Sequence, residues 1–375
     1  MEDEKNVSTN KSSKIDTTMD IKNYNFSNKN TYNLIDAFKC FLFLIIVTVG
    51  VSVVLQIIMA IVATSTKQTL EQVSSSDTFI ILTHILSPLV FIIYYFVFNA
   101  IKKVDNKYAL SDGQKVSLLP ISISMVLAVI CIFLFTPFMN LIDYFFSRFG
   151  YVPDNTIPLS EKMASGGGYF GLGVLIYCLL PAIAEELIFR GIIQKSLSTK
   201  LNGVATIILT TIMFTLMHGS LQQTVYQMLV GIMLSYLVCV GGSIIYSIIL
   251  HFLNNFFVLL FSTFDIVGYL SGENTIYYNI FSKIFPFLLF LLGLVLVAIL
   301  FWVLKYLRNK NFFRYDPKRN RKVKKIEPVI LNEPDKLKLK DLWGNSTYFE
   351  KIFIISSFLL VGIIWIINTI SGFIA

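Results

Sequence analysis

Two adjacent carboxylates, Glu185 and Glu186, interrupt an otherwise apolar stretch, Pro181-Ala182-Ile183-Ala184-Glu185-Glu186-Leu187-Ile188-Phe189-Arg190. On a helix, neighbouring residues point about 100° apart, so the two carboxylates serve different purposes. Arg190 lies four residues after Glu186, on the same face, and fits an ion pair with it. That leaves Glu185 without a charge partner, as suits a general base that deprotonates a water. Two of the chain's three histidines fall in neighbouring apolar stretches: Phe214-Thr215-Leu216-Met217-His218, and His251-Phe252-Leu253-Asn254-Asn255. The i to i+4 spacing puts Phe214 beside His218, and His251 beside Asn255. A glutamate and two histidines are the set a hydrolase uses to activate water and stabilise an oxyanion. No H-E-x-x-H sequence is present, which excludes zincin geometry.

Each residue also has a blander reading. A single histidine in a membrane helix is more often a hydrogen-bonding partner for another helix, and Arg190 can snorkel towards a membrane surface. The third histidine, His84, reads as a packing residue near a Pro88 kink. Asp143, Asp265 and Lys283 sit at span ends, where water is close.

Glu-Glu-x-x-x-Arg, Phe-x-x-x-His and His-x-x-x-Asn, in that order on successive apolar stretches, resemble the CAAX prenyl protease and bacteriocin-processing (CPBP, or Abi) family of intramembrane peptidases. The resemblance covers about residues 165–265 and rests on Glu185, Glu186, Arg190, Phe214, His218, His251 and Asn255. It implies that Glu185 activates the water and Glu186 holds Arg190. It also implies that His218 binds the water or a metal such as zinc, and that His251 and Asn255 bind metal or the oxyanion. A zinc held by His218 and His251 with Glu185, and a glutamate-activated water, both remain open. Implied substrates are prenylated CAAX proteins or bacteriocin-type peptides, in maturation or self-immunity. The Lys/Asn/Ile-rich composition favours a bacterial setting and hence the second.

The elements that position these residues are membrane helices. Of 375 residues, 55% are hydrophobic and 14% charged, against about 25% charged in soluble domains. Runs of about 20 apolar residues recur, each long enough to span a bilayer, which makes the fold class an all-α polytopic transmembrane bundle of eight or nine spans. Expected spans are 38–63, 78–101, 117–143, 169–194, 203–219, 223–240, 243–264, 280–307 and 350–373. In domain terms, this gives a disordered tail (1–36), N-terminal helices (37–165), the catalytic core (166–265), a helix (266–307), a basic loop (308–349) and a C-terminal helix (350–375). The first apolar run reads as a signal anchor. Gly241-Gly242 predicts a tight helical hairpin, and Pro181 a kink just before the carboxylate pair. Cys40, Cys131, Cys178 and Cys239 are spaced neither for a metal nor for a disulfide framework and read as buried apolar residues.

The net charge of +8 reflects topology, not nucleic-acid binding. Residues 308–325 hold nine basic side chains and one acid, Asp316. Basic loops stay cytoplasmic, and this one suits anionic lipid headgroups. Counting back through nine spans places Lys102, Lys103, Lys107, Lys115, Lys195, Lys200 and the N-terminal tail inside. It leaves Lys67 alone in an outer loop. The expected location is therefore the plasma membrane, with a cytoplasmic N-terminus and a membrane-associated peptide or protein as substrate. Depths counted from the cytoplasmic helix ends, at 1.5 Å per residue, are roughly 15 Å for Glu185, 12 Å for His251 and 22 Å for His218. The three are expected to meet at one level, open towards the cytoplasmic half. A non-catalytic membrane receptor or immunity scaffold, or a proton-coupled transporter, is the alternative class; the absence of internal repeats counts against transport.

Overall fold

A computed structural model describes residues 31–106, 110, 116–152, 157–166, 168–264, 286–310, 331 and 333–374, and the backbone but not the side chain of Gln222. Most of the expected tail (1–36), half of the basic loop (308–349), and Asp265 and Lys283 lie outside the described residues.

Eight helices are long and apolar enough to cross a membrane: α1 (Leu34–Thr66), α3 (Asp77–Lys102), α4 (Leu118–Ser147), α6 (Tyr169–Leu197), α8 (Leu221–Gly241), α9 (Ile245–Thr263), α10 (Pro286–Asn309) and α12 (Tyr348–Ile374). Short helices α2 (Leu70–Ser74), α5 (Ser160–Ala164) and α11 (Leu342–Asn345) lie between them. The chain is a multi-pass helical bundle with no strand among its described residues. The question of eight or nine spans turns on α7 (Gly203–Met217), an apolar helix of 15 residues. At about 22 Å it falls short of the roughly 30 Å hydrocarbon core.

Caps fix where the helices begin. The Asn33 side chain accepts from Asp36 N–H, and the Asp36 carboxylate accepts from Asn33 N–H. Lys102, from the far end of α3, adds an ion pair to Asp36 at 2.5 Å. Residues 34–36 are therefore helix, a correction to the expected tail. Residues 308, 309, 342–345, 348 and 349 likewise belong to helices, not to the expected loop. Between α8 and α9, Gly242 adopts φ +77°, a left-handed value that favours glycine. It closes the hairpin by donating its N–H to Val238 O. The four cysteines carry no disulfide, and three of them are buried.

Contacts sort the helix ends onto two faces. On the first face, Asn202 and Val204 N–H donate to Leu337 and Leu331 carbonyls, and Ile244 N–H donates to Leu110 O. Lys200 pairs with Glu350 there at 3.0 Å. On the second face, Val152 N–H donates to Gly372 O, and Lys162 pairs with Asp77 at 2.5 Å.

The centre is stapled by charge. Arg190 is fully buried, a correction to the snorkelling reading. Its Nη1 donates to Glu186 Oε1 at 2.7 Å and its Nη2 to Gly231 O at 3.2 Å, while the guanidinium lies 4.5 Å from the Phe214 ring centre. One turn on, Gln194 Nε2 donates to Ser235 O at 2.9 Å. Arg190 and Gln194 of α6 thus button onto two carbonyls, one turn apart, on α8, with Glu186 anchoring Arg190. Gly231 also lets α7 pack closely on α8, because a Cβ there would press on Thr211 and Phe214 of α7 at 3.1 and 3.2 Å.

Two outcomes follow from this arrangement. A reporter fused after Lys325 is expected in the cytoplasm and one after Ala375 outside; finding both on one side would remove a pass. Breaking a buried ion pair by deleting one partner costs about 3–5 kcal/mol. Arg190→Ala should therefore lower the yield and melting temperature of detergent-purified protein, while Glu185→Gln should leave both unchanged.

Candidate active site

The local path of α6 explains how two adjacent carboxylates reach different places. Regular turns at Leu180–Glu186 are bracketed by wider, i to i+5 turns at Val174–Leu179 and Leu187–Gln194. Pro181 has no N–H for the carbonyl four residues before it, that of Tyr177. Asn255 Nδ2 reaches that carbonyl at 3.4 Å and ties α9 to α6. Glu186 points into the core. Glu185 turns into a cavity of about 530 Å³, whose lining also includes His218, His251, Tyr226, Asn254 and Asn255.

At the floor, Glu185 Oε2 lies 3.9 Å from His218 Nε2 and 4.0 Å from His251 Nε2. That oxygen is buried and has no hydrogen-bond partner. His251 Nδ1 is 3.0 Å from Glu186 Oε1, and His218 Nδ1 is 3.0 Å from Phe214 O. A carboxylate and a carbonyl only accept, so each Nδ1 carries a hydrogen and each Nε2 is turned to Glu185. The Phe214 ring packs edge-on against both imidazoles, at 4.8 Å from His218 and 5.9 Å from His251. Glu186 Oε1 therefore has two partners: it anchors Arg190 and also orients His251.

The donor types would suit a metal, since imidazoles held through Nδ1 by oxygen acceptors are common metal ligands. The separations do not. Ligands about 2.05 Å from a tetrahedral zinc stand roughly 3.4 Å apart, less than the 3.9 and 4.0 Å found here. No group of three His, Cys, Asp or Glu side chains among the described residues is placed to hold a metal ion. A water hydrogen-bonded at about 2.8 Å to each partner does bridge such gaps.

The cavity is wider than the motif. Tyr226 O–H donates to Asn254 Oδ1 at 2.6 Å, and Asn254 Nδ2 reaches Asn255 Oδ1 at 3.4 Å, so a polar chain backs Asn255. Gln223, Tyr226 and Gln227 share one face of α8 and line the wall; their i, i+3, i+4 spacing was the signal for them. His84, expected as a packing residue, and Asp143, expected at a span end near water, also line it. The His84 ring packs edge-on to Tyr177 at 4.8 Å. Beyond that pair a second cavity, of about 310 Å³, runs between α3 and α6 and shares His84, Tyr177 and Glu185 with the first.

Asp143 and Leu259 lie one turn from the second-face ends of α4 and α9, and Pro158 lies in the second-face connection between α4 and α6. Towards the first face the floor is closed by the packed Glu186, Arg190 and Gln194 side chains. Depth counts give distance along a helix but not the end at which helices part; the cavity's lining extends towards the second-face helix ends.

Residues 168–257 match the family described as type II CAAX prenyl endopeptidase Rce1-like. No curated protein and no solved structure matches the chain. The matched segment runs from the start of α6 into α9 and contains every motif residue from Glu185 to Asn255. The resemblance read from the motifs is thus borne out, and the part of the chain that builds the cavity floor is similar to the type II CAAX prenyl endopeptidases.

Proposed function

We propose that this membrane protein is an intramembrane endopeptidase that cleaves by a glutamate-activated water. The supporting observation is the floor of the cavity, where an unpartnered Glu185 oxygen stands a water's span from both imidazole Nε2 atoms. In this reading Glu185 takes a proton as the water oxygen attacks the scissile carbonyl carbon. His218 holds the water. The Asn255 amide N–H faces the developing oxyanion, and Glu186 steadies His251 beside it. The proton on Glu185 then passes to the departing nitrogen. One peptide bond and one water give one carboxyl and one amine.

The substrate is a peptide or protein held at the membrane. The second cavity, between α3 and α6, supplies a lateral approach to Glu185 for such a segment. The protein resides in the plasma membrane with its N-terminus cytoplasmic, and the basic 308–325 segment rests on anionic headgroups. Transport is the weaker reading, because a carrier needs access to its site from both faces, and this site is closed on the first by a buried ion pair.

Peptides released from membranes carrying wild-type or Glu185→Gln protein should differ. Removing a general base costs typically about 10²–10⁴-fold in rate, so Glu185-dependent fragments should disappear while protein level holds. Unchanged fragments would sink the peptidase reading. Their sequences also decide between a bacteriocin-type precursor and a CAAX-type terminus. Activity is expected to survive a strong zinc chelator; loss restored by Zn²⁺ would instead assign His218, His251 and Glu185 as metal ligands.

A further inference from the structure

We propose that the catalytic cavity opens on the extracytoplasmic side of the membrane, so that its substrate is a polypeptide already exported to the outer surface. Two independent observations meet here, one on charge and one on shape.

The first is the charge of the two faces. Connections at the first face carry Lys103, Lys107, Lys115 and Lys200, together with nine basic residues in 308–325. Those at the second face carry only Lys67, Arg148, Lys162 and Lys283. Lys and Arg in short loops are retained on the cytoplasmic side. The contacts that group these ends do not depend on the charge count, since they are backbone hydrogen bonds and ion pairs between distant connections.

The second is where the cavity lies between those faces. Glu185 is 16 residues along α6 from Tyr169, and His251 is 12 residues before Thr263. Both therefore sit roughly 18–24 Å below the second-face helix ends, at the bottom of the cavity. Asp143, Leu259, Ile157 and Pro158 lie near its rim. A cytosolic terminus would meet the first face, where Arg190, Gln194 and Ser196 are buried beneath the polar connection. An exported segment meets the open rim. The substrate side rests on the peptidase reading; the direction of opening does not.

Single cysteines probe this in intact cells, using a membrane-impermeant sulfonated maleimide and the parent protein as background. Gln223 and Asn140 are exposed in the cavity wall, and Thr199 is exposed at the first face. Gln223→Cys and Asn140→Cys should label in intact cells, and Thr199→Cys only after permeabilisation. Either wall variant suffices should the other fail to fold. Wall cysteines that label only after permeabilisation, or not at all, overturn the proposal, as does labelling of Thr199→Cys in intact cells. Glu185-dependent fragments should also appear in the medium and not in the cytosol. Cytosolic fragments overturn the substrate side. Correct labelling with no Glu185-dependent fragments in either place refutes the peptidase reading and leaves the orientation standing.

Discussion

A single carboxylate oxygen, Glu186 Oε1, connects the fold to its chemistry. It accepts from Arg190 at 2.7 Å and faces His251 Nδ1 at 3.0 Å, and both of its partners come from the interior of the bundle. In a low-dielectric interior an unpaired charge is costly, so the pair must form when α6 packs. Once formed, Arg190 reaches across to Gly231 and draws in α8, and Phe214 of α7 closes over the guanidinium. His251 on α9 is held by the same oxygen. Four helices are thus positioned around one buried charge.

The neighbouring carboxylate gains its character from that arrangement. Since Glu186 occupies the core-facing direction, Glu185 must project about 100° away, into the space beside the staple. The wider turns on either side of Leu180–Glu186 and the missing N–H of Pro181 leave α6 irregular where it passes the cavity. Irregular backbone within a membrane is tolerated where other groups satisfy it. Here Asn255 does so, through the Tyr177 carbonyl. The asparagine read from sequence as an oxyanion donor therefore also supports the helix that carries Glu185.

Much of this was legible because lipid makes polar residues conspicuous. Glu185, Glu186, Arg190, His218, His251 and Asn255 stand out against apolar spans, and helical spacing alone paired Glu186 with Arg190. Hydropathy placed every long helix. Other parts were hidden for physical reasons. Gln194 extends the staple by one turn, but a neutral amide near a helix end carries no signal until its partner carbonyl on α8 is seen. Asn254 looks like a spare copy of Asn255 until Tyr226, from a different helix, bonds to it. His84 lies on α3, far in sequence from the motif, and only packing brings it to Tyr177. The direction of opening depends on where helices part, which no single helix encodes.

The short helix α7 accounts for that parting. Its start is pinned at the first face, where Asn202 caps Ala205 N–H and Val204 N–H donates to Leu331 O. With 15 residues it reaches about 22 Å, so its shortfall of roughly 8 Å against the hydrocarbon core must appear at the second face. The other end agrees. Gly219, in the turn after α7, abuts Asn368, which lies six residues before the second-face end of α12, roughly 9 Å down. The turn carrying His218 is therefore sunk below that surface, while α4 and α9 continue past it as walls. A helix long enough to span the core would carry His218 to the surface, away from Glu185 and His251. The shortness of α7 both brings the second imidazole to Glu185 and leaves the cavity above it.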